Sequence, residues 1–144
     1  MEATAVRSSP GWTFAQKGVV VVSAALTIWS TIGLIANPDF ATGDAATSEQ
    51  VLGVDFNGWH AVSGYLLILP GFYFALRPKW AVWFALYAAG ALIITAIYAL
   101  FSTRPADLLA FPHNEADAAL HFSFAAAYLV VAGVQIARDR AEQS

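Results

Sequence analysis

The sequence predicts an all-α membrane protein. It should be a four-transmembrane-helix bundle made of two duplicated helical hairpins, with both termini cytoplasmic. Three observations carry this. The 144 residues are 58% hydrophobic and only 12% charged, where a soluble domain carries about 25% charged residues. Four apolar stretches approach the roughly 20 residues a helix needs to cross a hydrocarbon core of about 30 Å. All seven Lys and Arg residues except Arg104 fall before the first stretch, between the second and third, or after the fourth, which is the positive-inside pattern. The same figures exclude other classes. A mean hydropathy of +0.59 excludes disorder. The absence of cysteine excludes a disulfide framework, a thiolate zinc site and a cysteine nucleophile. A net charge of -3 leaves no footprint for nucleic acid.

The elements follow in order, within a single domain over 1–144. The first span covers about 18–36 without a charge. Its apolar run exceeds a signal-peptide core and lacks a clean cleavage site, so it is read as uncleaved. The second covers about 59–76 and contains His60 and Pro70. The third covers about 80–101, and the fourth about 118–137 with His121. Helix is the form that satisfies backbone groups in lipid. Arg77-Pro78-Lys79 is a tight inner turn that makes spans two and three antiparallel neighbours. The outer loop from Asn37 to Gly58 opens on an Asn-Pro turn. Within it, Thr47 to Gln50 resembles a helix cap, which predicts a short interfacial helix dipping Val51, Leu52 and Phe56 into the headgroups. The second outer loop, about 102–114, carries Leu108, Leu109 and Phe111. Met1 to Pro10 and Ala141 to Ser144 are expected to be frayed tails.

Asn57-Gly58-Trp59-His60 opens the second span, and Asn114-Glu115-Ala116-Asp117 opens the fourth, with His121 one turn further on. Two repeat frames relate these hairpins. One pairs Asn57 with Asn114, His60 with Asp117 and Gly64 with His121. The other, shifted by four residues, pairs His60 with His121 and Arg77 with Arg138. Parallel repeats of this kind are related by an axis along the membrane normal.

These motifs resemble those of a bacterial family of four-helix membrane proteins, domain of unknown function 4383. That family has Asn-x-x-His at the start of its second span, here Asn57 and His60. It has Asn-x-x-Asp-x-x-x-His at the start of its last, here Asn114, Asp117 and His121. The chain departs where members often carry a second histidine, because that position is Gly64. The resemblance covers about Gly18 to Ala137. It implies a fold and a bacterial cytoplasmic (inner) membrane location, but no chemistry.

The simplest reading of the polar residues is structural. Asn57 and Asn114 cap helices, and Asp117 sits in a first turn against the positive end of the helix dipole. In this reading an interfacial histidine bridges the two hairpins. A sharper reading notes that Asn114, Asp117 and His121 lie on one helix face, where the carboxylate can orient the imidazole. His60 and His121, on two helices at similar depth, are then candidate cofactor ligands. They suit a haem or, with His113, a zinc or copper ion. No Met pair or haem-attachment motif supports a cofactor, so its identity stays open and no metal set is assigned. His113, next to Pro112, is expected to be exposed.

No ionisable residue lies deep in a span, which argues against a proton-coupled carrier. No nucleophile–base set or phosphate loop points to an enzyme. Pro70-Gly71 is read as a fixed kink. Ala81, Ala85, Ala88 and Ala89, and Ala125, Ala126, Gly133 and Ala137, form two small-residue stripes for close helix packing. Trp12, Trp59, Trp80 and Trp83 read as interfacial anchors, and Trp29 and Tyr98 as packing residues. The leading functional expectation is a non-enzymatic accessory or scaffold subunit, whose partners are lipid and other membrane proteins or further copies of itself. A haem- or metal-binding bundle using His60 and His121 is the alternative. A small oligomeric transporter comes third.

Overall fold

The computed structural model describes residues 11–101 and 112–144. The element order is α1 (Phe14–Ala36), β1 (Glu49–Val51), β2 (Val54–Phe56), α2 (Gly58–Ile68), α3 (Pro70–Phe74), α4 (Pro78–Ala99) and α5 (Glu115–Ala141). The helices α1, α4 and α5 are long and apolar enough to cross a membrane. Their outward side chains fit that environment, since Ile35 is 77% exposed and Trp83 71%. Faces this apolar are rare on soluble monomers. The chain is therefore a membrane protein. The fourth column is shorter and broken, with eleven residues in α2 and five in α3 around Leu69. Pro70 has no N–H for the Leu66 carbonyl, so the ladder is interrupted there. Leu69 keeps helical angles, which makes the break a kink and not an unwinding.

Each start has a local cause. Thr13 and Gln16 form a capping box that opens α1. The Asn57 side chain accepts from the His60 N–H at 2.9 Å, and that of Asn114 accepts from the Asp117 N–H at 2.9 Å. The two caps share nearly the same backbone angles, φ -146 and ψ -179 at Asn57, φ -142 and ψ -179 at Asn114. Pro78 occupies the first turn of α4, where its missing N–H costs nothing. Arg138 and Arg140 close α5 against the negative end of its dipole.

Packing is closest between α4 and α5 and between α1 and α2, while α2 meets α4 only sparsely. Ala81, Ala85, Ala88 and Ala89 are fully buried, so the small-residue stripe of α4 packs the protein against itself. On α5 the expected stripe is only partly right. Ala125 is buried, but Ala126, Gly133 and Ala137 are exposed. Ala125, Tyr128, Val131 and Ala132 form the inward face instead. Polar links tie the helices, among them a hydrogen bond of 2.7 Å from the Tyr65 hydroxyl of α2 to Thr31 of α1. Ser23 and Tyr128 share a hydrogen bond of 2.9 Å. Gln16 donates to the Ala75 carbonyl at 2.8 Å, and Gln135 accepts from the Ala15 N–H at 3.1 Å.

The interfacial helix expected after Thr47 is not present. A short 3-10 turn over Gly43–Ala45 leads into a β-hairpin. Thr47 is engaged within the loop instead: its N–H and hydroxyl donate to Asp39, each at 2.7 Å, and its Oγ1 accepts from the Asn37 amide at 3.2 Å. Val51 and Val54 pair across a two-residue turn in which Leu52 and Gly53 both have positive φ, the geometry that matches strand twist. Leu52 points outward at 89% exposure, whereas Phe56 is buried. The second outer loop, with Leu108, Leu109, Phe111 and Arg104, and the N-terminal tail lie largely outside the described residues.

Candidate metal centre

Four side chains converge at the N-terminal ends of α2 and α5. His60 sits in the first turn of α2, Asp117 in the first turn of α5, and His121 one turn further along. His113 directly precedes the Asn114 cap. One ligating atom from each lies within 4.8 Å of the other three. All three histidines of the chain are thus in one place. Asp117 is the hub and is 1% exposed. Its Oδ1 is 3.6 Å from His60 Nε2, and its Oδ2 contacts His113 Nδ1. Oδ2 is also 3.4 Å from His121 Nε2, but without hydrogen-bond geometry. That buried nitrogen has no hydrogen-bond partner.

The surroundings fix these groups. His60 Nδ1 is 2.9 Å from the Asp55 carbonyl in β2. A carbonyl only accepts, so Nδ1 carries a proton, and in the neutral ring Nε2 presents a lone pair towards Asp117. The Phe56 ring stacks on the His60 imidazole, with centroids 4.6 Å apart. A Cβ at Gly33 would run into that Phe56 ring, so the glycine on α1 is what lets Phe56 reach His60. Asn114 does more than cap, since its amide donates to the Gly53 carbonyl at 2.7 Å. The hairpin is thereby tied to both helices that carry the cluster.

With His60 neutral, its Nε2 lone pair and the Asp117 carboxylate face each other at 3.6 Å, and a cation between them, a proton or a metal ion, relieves their repulsion. Imidazole and carboxylate donors suit a borderline divalent ion. The Asp55 carbonyl on His60 Nδ1–H is the outer partner that metal-ligating histidines ordinarily have.

The sequence placed Asp117 and His121 on one inward face near His60, and the structure agrees. Asn57 and Asn114 cap their helices as expected. His113 is the correction, because it is buried at 8% exposure and in contact with Asp117. Its neighbour Pro112 suggested a loop, but the spacing of His113, Asp117 and His121 at i, i+4 and i+8 runs along one side of the helix and its lead-in. That spacing was the available signal. The role of the Asp55 backbone had none.

The chain belongs to a family described as Domain of unknown function (DUF4383), whose model matches residues 16–134. No curated protein and no solved structure matches it.

Proposed function

We propose that this protein is a four-span membrane protein of the bacterial inner membrane that binds one divalent metal ion of the zinc class through His60, His113, Asp117 and His121. The observation that carries it is the convergence of four potential ligands, three of them buried, with their donor atoms within 4.8 Å of one another. In this reading α2 and α3 together make the fourth crossing, both termini are cytoplasmic, and the site faces outward. The similar caps at Asn57 and Asn114 favour the repeat frame that pairs them. The role in this reading is binding, and among the described residues the four donors are the ionisable side chains that line the adjoining cavity.

A haem is less well served. The His60 and His121 rings are nearly parallel, 6.1 Å apart between centroids, and Asp117 approaches both. A porphyrin needs its two axial ligands on opposite faces with a flat slot between them.

The test is metal analysis of protein purified in mild detergent. Near-stoichiometric zinc, or cobalt(II) after exchange, is expected. His121→Ala and Asp117→Ala variants that keep their helical circular dichroism should lose it. Wild-type protein that takes up neither ion would sink the proposal. A Soret band would favour the haem reading instead.

A further inference from the structure

Beneath the four donors lies a cavity of about 260 Å³. It occupies the seam where α2 and α4 make few contacts. All four donor residues line its outer end, and its walls are mainly apolar, with Leu26, Leu67, Leu92 and Phe124 among them. Two of its three hydroxyl residues are turned back onto their own helices. Ser63 donates to the His60 carbonyl and Thr95 to the Ala91 carbonyl. The cavity therefore has one polar end, at the cluster, and an apolar body. A zinc-class ion can expand from four ligands to five, so a head group at this end of the cavity can add to the four donors.

We infer that the cavity holds a single-chain amphiphile whose oxygen-bearing head completes the coordination of the metal and whose tail fills the apolar body. This rests on the metal reading above. At about 30 Å³ for each water-sized group, the space suits a ligand of roughly eight or nine non-hydrogen atoms. That is a medium-chain acid or its equivalent. A small hydrophilic ligand would leave apolar walls unfilled, and a long chain would have to leave through the seam.

Alkyl hydroxamates provide the probe, since two oxygens of the head can ligate the ion. Cobalt(II)-loaded protein in lipid nanodiscs is titrated with acetohydroxamate, hexanohydroxamate and octanohydroxamate, and binding is read from the visible cobalt spectrum. Hexanohydroxamate, whose size matches the cavity, is expected to bind at least tenfold more tightly than acetohydroxamate, and octanohydroxamate, which exceeds it, no better than hexanohydroxamate. Filling the cavity with Ala91→Phe should abolish that advantage and leave cobalt stoichiometry unchanged. Leu92→Phe is a second variant should the first fail to fold. Cobalt uptake with no chain-length dependence would overturn the inference and leave the metal site standing. Failure to take up cobalt at all would overturn the site itself.

Discussion

His113 stands one residue before the cap of α5, and that position lets it reach Asp117 across the first turn. Asn114 then holds the turn in place from the other side. It accepts from Asp117 N–H and donates to Gly53, so it joins a helix to a hairpin as well as starting a helix. Asn57→Ala and Asn114→Ala are each expected to cost about 0.5–2 kcal/mol through loss of the cap. Thermal unfolding in one detergent measures both. Asp39 offers a prediction about pH. The N–H groups of Ala41 and Thr47 and the Thr47 hydroxyl hold its pKa below the usual aspartate value. A lowered pKa stabilises the loop above the unfolded value near 3.8 and loses that effect as pH falls through the folded one. Carboxyl NMR should place the Asp39 midpoint below 3.8, and Thr47→Ala should move it upward. At this scale the caps were legible because Asn at a helix start has one dominant use. His113 was missed because Pro112 suggested a loop, although its spacing to Asp117 and His121 was there to be seen once Asn114 is taken as the cap.

The elements were legible where periodicity and length decided them. Uncharged runs gave α1, α4 and α5, and Pro70 gave the break in the fourth column. The hairpin was missed because Thr-Ser-Glu-Gln is a good local cap, and it is the distant Asp39 and Asn37 side chains that engage Thr47 within the loop instead. Nothing within the apolar run of α1 marks Gly33, for a similar reason. Its function appears only when Phe56 packs over it. Gly33→Ala is expected to push Phe56 off His60 and weaken cobalt(II) binding about tenfold with every ligand intact. Gly90→Ala, whose added Cβ would meet nothing within 4 Å, is the control and should bind normally. The Ser23–Tyr128 hydrogen bond joins α1 to α5. Tyr128→Phe is expected to cost about 0.6 kcal/mol, the average for such bonds between membrane helices. Unfolding from mixed micelles measures it.

For the whole molecule, composition and the Lys/Arg distribution predicted a membrane bundle and a direction across the bilayer. A cysteine at position 45 is expected to react with an impermeant thiol reagent applied outside, and one at position 142 is not. The reverse pattern would place the metal site on the cytoplasmic side. The cluster as a unit was only partly legible. Its ligands come from two regions of the chain, and nothing in sequence spacing tells how far apart α2 and α5 stand. That distance depends on α4 and α5 closing over small residues and on the hairpin linking the two helix starts.

The split between His60 and the other three ligands has a consequence for biogenesis. A chain is made and inserted from its N-terminus. His60 precedes α4 in the chain, and His113, Asp117 and His121 come at the start of α5. On the proposed reading the ion has no complete site until α5 is made, and a chain stalled after α4 carries a single histidine.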